Sequence, residues 1–238
     1  MSRKQKVCWY PMILCFFFWA GSAFAGSQDL GLKLKSGNYV QKVDNVYIII
    51  DKSGSMLESY AGQDKFDIEK KLVGNFNRTI PDMNLKAAVQ SFGNNFIDFD
   101  MIKLNYGIEK YDTEAVDKVI KKLCCPFGDS NLGVAITLAG TGLSKVPGKS
   151  AIVIFSDGKD MTDVPVKAAQ IVKRMLGDSV CIHTVQIGND EDGADLLDKI
   201  AKTGKCGIAK KGDNLASDAA MTDFVEKIFL ESAPSPAK

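Results

Sequence analysis

Short unbroken apolar runs alternate along this chain with stretches whose apolar residues recur every third or fourth position. Val46-Tyr47-Ile48-Ile49-Ile50 and Ala151-Ile152-Val153-Ile154-Phe155 are such runs. A strand apolar at every position is one covered on both faces. Residues 85–92, 96–104 and 180–187 read as further strands, and 207–209 as a short last one. Gly93-Asn94-Asn95 suits a hairpin turn, so 96–104 is expected as an antiparallel edge. Ile68, Leu72 and Phe76 recur at helical spacing. The same spacing predicts helices over 113–123, 132–143, 166–176, 194–203 and 216–230. Leu30, Leu32 and Leu34 alternate with Gly31, Lys33 and Lys35, a weak strand pattern. Strands alternating with helices define an α/β class. The expected architecture is a doubly wound, mainly parallel sheet with one antiparallel edge strand and helices on both faces. Such a sheet binds ligands beyond the carboxyl ends of its strands.

The first 25 residues do not fit that pattern. Arg3, Lys4 and Lys6 precede a short Phe-rich apolar run, and Ser22-Ala23-Phe24-Ala25 ends it with small residues at alternate positions. This is a secretory signal, with cleavage expected after Ala25. The run is shorter than the roughly 20 residues that span a bilayer, so no membrane span is expected after cleavage. The organisation read from sequence is therefore a signal peptide over 1–25, a leader over 26–43, one domain over 44–230 and a flexible tail over 231–238. The periplasm is the expected location, with full secretion the alternative.

Composition narrows the function classes. The whole chain carries a net charge of +1. Removing Arg3, Lys4 and Lys6 leaves 27 basic against 29 acidic residues, a net −2. Neither value suits a nucleic-acid binder that works through phosphate contacts. Four of the six cysteines, Cys124, Cys125, Cys181 and Cys206, lie beyond the signal. None forms a C-x-x-C pair, which weakens a zinc or thioredoxin reading. Cys181 begins one strand and Cys206 lies just before the next. If those strands are parallel neighbours, the two cysteines are close enough for a disulfide. Cys124 and Cys125 are left as a vicinal disulfide, two thiols or separately paired. Asn77-Arg78-Thr79 is a glycosylation sequon.

The candidate chemistry sits at strand ends. The first apolar run leads into Asp51-Lys52-Ser53-Gly54-Ser55, and the second into Ser156-Asp157-Gly158. Between them Gly128-Asp129-Ser130-Asn131 turns into a helix. If the two strands are neighbours, these loops gather Asp51, Asp157 and the hydroxyls of Ser53, Ser55 and Ser130. Hard oxygen donors of this kind suit Mg²⁺ or Mn²⁺, and less well Ca²⁺, which takes more ligands. Asp51 is expected at the rim of the sheet, outside the core.

Asp51-x-Ser53-x-Ser55 with Met56 following resembles the first signature of the metal-ion-dependent adhesion site (MIDAS) of von Willebrand factor A domains, a Rossmann-like fold. Ser130 matches the position where that family usually has Thr, and Asp157 the Asp after its fourth strand. The resemblance covers roughly residues 43–230. It implies that Ser53, Ser55 and Ser130 bind a cation through their hydroxyls. Asp51 and Asp157 would act directly or through water, and one position would stay open for a carboxylate, an Asp or Glu, of a protein partner. It also implies a binding module and no enzyme. Two departures stand out: Ser130 replaces Thr, which frees its rotamer, and Asp129 replaces Gly and adds a negative charge. Lys35-Ser36-Gly37-Asn38-Tyr39-Val40 and Gly204-Lys205-Cys206-Gly207 are similar to the periplasmic domain of some bacterial outer-membrane-protein-A-like proteins.

The competing reading is a metal-dependent phosphohydrolase with Asp51 as nucleophile. That chemistry wants a second acid beside Asp51, and position 53 is Ser. His183, the single His, lies in an apolar strand and reads as a core residue. Gly148-Lys149-Ser150 precedes a strand, where a phosphate loop should follow one.

Overall fold

A computed structural model describes residues 25–93, 100–160 and 162–234. The expected signal segment, apart from Ala25, lies outside the described residues, as does the turn at Asn94-Asn95. In chain order the elements are α1 (Ala25–Lys35), β1 (Tyr39–Gln41), β2 (Asn45–Asp51), β3 (Ser59–Tyr60), β4 (Gln63–Asp64), α2 (Lys65–Thr79), β5 (Lys86–Phe92) and β6 (Ile102–Lys110). Then follow α3 (Thr113–Lys122), α4 (Leu132–Leu143), β7 (Ser150–Ser156), α5 (Val164–Leu176), β8 (Val180–Gln186), α6 (Glu191–Lys202), β9 (Ala209–Lys211), α7 (Asp218–Phe229) and β10 (Leu230–Ser232).

Six strands form the central sheet in the order β6-β5-β2-β7-β8-β9. All neighbours are parallel except β5 and β6, so the mixed α/β architecture with an antiparallel edge is as expected. Side chains of β2 alternate between two cores, because successive residues of a strand point to opposite faces. Val46, Ile48 and Ile50 enter the layer built with α2, α3 and α7. Tyr47 and Ile49 enter the layer built with α4, α5 and α6. In the first layer Phe76 packs against Phe155, Phe224 and Phe229, with ring centroids 5.7, 6.1 and 5.9 Å away.

Three sequence expectations are corrected. Residues 30–34 are helical in α1: Leu30 is fully buried and Leu34 half-buried one turn on, while Leu32 is exposed. A three-residue alternation also fits a helix that buries i and i+4. The edge strand runs over Ile102–Lys110 and ends six residues later than expected, and residues 96–99 of the expected strand lie outside the described residues. The last strand of the sheet runs over Ala209–Lys211, two residues later than 207–209. Residues within the expected leader and tail meet in a separate pair: β1 runs antiparallel to β10, with Tyr39 opposite Ser232.

Cys181 and Cys206 form the expected disulfide, with Cα atoms 5.4 Å apart. His183 is buried in β8. The sequon is not accessible. Asn77 is fully buried in α2, its Nδ2 donates to Thr113 O at 3.0 Å, and its Oδ1 accepts from Tyr111 at 2.8 Å.

Candidate metal centre

The parallel register sets the site. Ile50 of β2 pairs with Phe155 of β7, so the two strands end level and release Asp51 and Ser156 side by side. Asp51 is fully buried, which corrects the expectation of a rim position. Its Oδ2 accepts from Ser156 Oγ at 2.5 Å and its Oδ1 from the Ser53 N–H at 2.7 Å. Both oxygens are thus held. The second bond bends the chain after β2 and carries Ser53 into a short 3₁₀ turn over Gly54–Leu57, anchored by the buried Met56. The Ser53 and Ser55 hydroxyls lie 3.1 Å apart.

Two neighbours brace this serine loop. Gly54 N–H donates to Gly128 O at 2.8 Å, and Phe127 N–H to Lys52 O at 2.8 Å. These bonds draw the loop that carries Ser130 against the serine loop, and Ser130 sits half-buried just before α4. On the other side Lys52 N–H donates to Phe92 O at 2.6 Å. Gly93 follows with φ +105°, and a β-carbon there would lie 2.2 Å from the Lys52 carbonyl carbon. Only glycine permits that approach.

Asp157 is also fully buried. Its Oδ1 accepts from Lys159 N–H at 3.0 Å and its Oδ2 from the Lys65 ammonium at 3.0 Å. Lys65, at the start of α2, is itself buried and also bonds Glu58 at 2.6 Å. Burial opposes the Lys65 charge, but the bonds to Glu58 and Asp157 prevail and its pKa is raised. One helical turn on, Glu69 is fully buried and accepts from Asp51 N–H through Oε1 at 2.9 Å, while its Oε2 has no hydrogen-bond partner among the described residues.

Sequence reasoning missed Lys65, Glu69 and Ser156. A signal existed for the first two. Residues 65, 69, 72 and 76 share one helical face, and a Lys and a Glu on a stripe otherwise made of Leu and Phe are there for a reason other than packing.

The electrostatics follow from burial. Burial, then Asp157, push the Asp51 carboxyl up to about 7. Burial, then Asp51, hold Glu69 well above the usual carboxylate range. Asp51, Asp157 and Glu69 are thus three buried acids, of which the Lys65 ammonium pairs with Asp157 alone. With the serine hydroxyls alongside, the donor set is hard, oxygen-only and short of positive charge, and it fits a small divalent cation. Among the described residues no group of three or more His, Cys, Asp or Glu forms a metal cage by itself. Beyond Gly158 a cleft of about 720 Å³ opens, walled by Asp160, Asp163, Asp190 and Asp192.

The von Willebrand factor type A domain family matches residues 46–159. The uncharacterized protein YwmD of Bacillus subtilis (strain 168) is 29% identical over 125 residues, 49% of this chain and 55% of that protein. The chain thus spans little more than half of YwmD. An aerotolerance-related membrane protein from Bacteroides fragilis superposes with a TM-score of 0.62 at 20% identity, over 77% of this chain and 99% of that one. Proximal thread matrix protein 1 from the mussel byssus, with a zinc-occupied MIDAS motif, superposes at 0.56 and 16% identity, over 87% and 53%. The molecule has the von Willebrand factor A fold. Among the described residues no helix is long and apolar enough to cross a membrane.

Proposed function

We propose that this protein is a binding module that grips an acidic group of a protein partner through a divalent cation, Mg²⁺ or Mn²⁺ before Ca²⁺. Ser53, Ser55 and Ser130 would supply hydroxyl oxygens, and Asp51 and Asp157 would hold them and balance the charge. A cation held there would offer Lewis acidity to an incoming Asp or Glu carboxylate. The observation that carries the reading is the serine loop itself: Asp51, locked by Ser156, folds the Ser53 and Ser55 hydroxyls to 3.1 Å at the mouth of a buried acidic site. The mussel protein, described with a zinc-occupied MIDAS motif, supports placing a cation at this point of the fold. The signal pattern over 1–25 supports export, with the periplasm as the proposed location and full secretion as the alternative. Likeness to the outer-membrane-protein-A-like group belongs to the same reading.

Burial argues against the phosphohydrolase alternative. A nucleophilic carboxylate must reach its substrate, whereas Asp51 is enclosed and both its oxygens are engaged. The module is read as a binder and not as an enzyme.

Calorimetry tests the proposal. Asp51→Asn is the informative variant, because truncation to Ala would strand the Ser53 N–H and Ser156 hydroxyl inside the protein. The expected result is Mg²⁺ or Mn²⁺ binding to the wild type, at least about tenfold weaker in Asp51→Asn. Envelope proteins retained by the wild type in Mg²⁺ should be released by chelator and never captured by the variant. Equal cation affinity in both proteins, or capture that survives chelation, removes the reading. Hydrolysis of an aryl phosphate lost in Asp51→Asn would favour the alternative.

A further inference from the structure

Cys124 and Cys125 follow α3, and both are exposed. The proposed site uses neither, and Cys181 and Cys206 are already paired with each other. The Cys125 and Cys124 sulfurs lie 2.6 Å apart, so the two side chains face each other. Cys125 adopts φ +62°, a conformation that a residue with a β-carbon seldom takes. Two residues further on, Phe127 N–H holds Lys52 O, and Gly128 O accepts from Gly54 N–H. The thiol pair thus heads the loop that closes on the serine loop and presents Ser130.

We propose that Cys124 and Cys125 form a redox-active dithiol whose closure to a vicinal disulfide stiffens loop 123–131 and so tightens cation binding beside it. The stiffening stands on its own; the gain in cation affinity rests on the metal reading above. The co-reactant is a disulfide of a small or protein thiol. One thiolate attacks it, a mixed disulfide forms and the first thiol leaves. The other cysteine thiolate then attacks the mixed disulfide and expels the second thiol. The two cysteines give up two protons and two electrons, and the co-reactant takes them as two thiols.

The direction follows from the geometry. The sulfurs already face each other, so closure needs little movement of the loop. With free thiols, Cys125 can relax toward negative φ, and the Phe127 and Gly128 contacts loosen with it. Closing the ring removes that relaxed alternative, and the loop no longer has to be ordered when the cation binds. Ordering of about one residue corresponds to about tenfold in affinity.

The test compares wild type with the Cys124→Ser, Cys125→Ser double variant, each equilibrated with oxidised or with reduced glutathione. Peptide mapping should locate a Cys124–Cys125 bond in oxidised wild type. Hydrogen exchange at the Phe127 and Gly54 amides should slow on oxidation, and in wild type alone. Mg²⁺ affinity should rise about tenfold with it, while the double variant stays unresponsive. Failure of the bond to form, or unchanged exchange after it forms, overturns the proposal. Slowed exchange with a measurable but unchanged Mg²⁺ affinity overturns the link to the site. Slowed exchange in a protein that binds no cation in either state overturns the metal reading and leaves the dithiol standing.

Discussion

The Lys65 ammonium lies 3.0 Å from Asp157 and 2.6 Å from Glu58 while the rest of its side chain is buried. A fixed positive charge beside a cation site cuts both ways. Without metal it neutralises carboxylates that burial would otherwise leave unpaired; with metal it repels the incoming charge. Lys65→Met should therefore destabilise the chelated protein by about 3–5 kcal/mol, the cost of breaking a buried pair. The same variant should bind Mg²⁺ about thirtyfold more tightly, since even a screened charge a few ångströms away contributes on the order of 2 kcal/mol. Urea unfolding in chelator and calorimetry at neutral pH measure the two effects. A variant that is destabilised yet binds Mg²⁺ no better would show that Lys65 only positions Asp157. The five residues proposed for the site stood out in the sequence because each follows an apolar run or opens a helix. The residues that tune them were not, because Lys65 and Glu69 act from a neighbouring helix. Only the folded register brings that helix under Asp51.

At the level of elements, legibility followed the strength of the periodic signal. The five-residue apolar runs fixed β2 and β7, and α4 over Leu132–Leu143 coincides with its predicted span. α1 was misread because its apolar positions are few and interleaved with lysines, which a short strand tolerates equally well. Its helical identity comes from tertiary contact: Leu30 is buried in the core layer that α7 helps to build, and Lys33 bonds Glu226 at 2.7 Å. Gly93 shows how an element's end can govern a site it does not belong to. Gly93→Ala would force a β-carbon onto the Lys52 backbone and impose φ +105° on a residue that avoids it. The expected cost is about 1–3 kcal/mol from the backbone conformation alone. Cation affinity should fall with it, since Lys52 leads directly into Ser53. A variant that keeps full affinity would separate the end of β5 from the serine loop.

For the whole molecule, the pH dependence of stability carries a signature of one residue. Burial, then the Lys42 charge, depress the His183 pKa from 6.5 to about 3. The folded state keeps this imidazole neutral while the unfolded chain protonates it, so unfolding takes up a proton between those values. The contribution is intact above about pH 6.5 and is lost as pH falls toward 3, at about 1.4 kcal/mol per pH unit. Asp51 and Glu69, whose pKa values are raised, work in the opposite direction, so the comparison must be with a variant. His183→Leu, of similar volume, should flatten the loss of stability from pH 6.5 to 4 in urea titrations. Parallel slopes in the two proteins would mean that the imidazole finds a way to ionise in place.

The pairing of β1 with β10 has a mechanical consequence. β1 feeds the amino end of β2 through a short link in which Lys42 N–H donates to Phe229 O. The serine loop leaves the opposite end of the same strand. Whatever is attached through either flank therefore holds the molecule by the pole farthest from the site. A tug between that anchor and a captured ligand runs along the axis of β2, which is laddered to β5 on one side and β7 on the other. Slipping it would shear both ladders at once instead of unzipping them bond by bond. The strand that orders the candidate site is also the strand best placed to bear such a load.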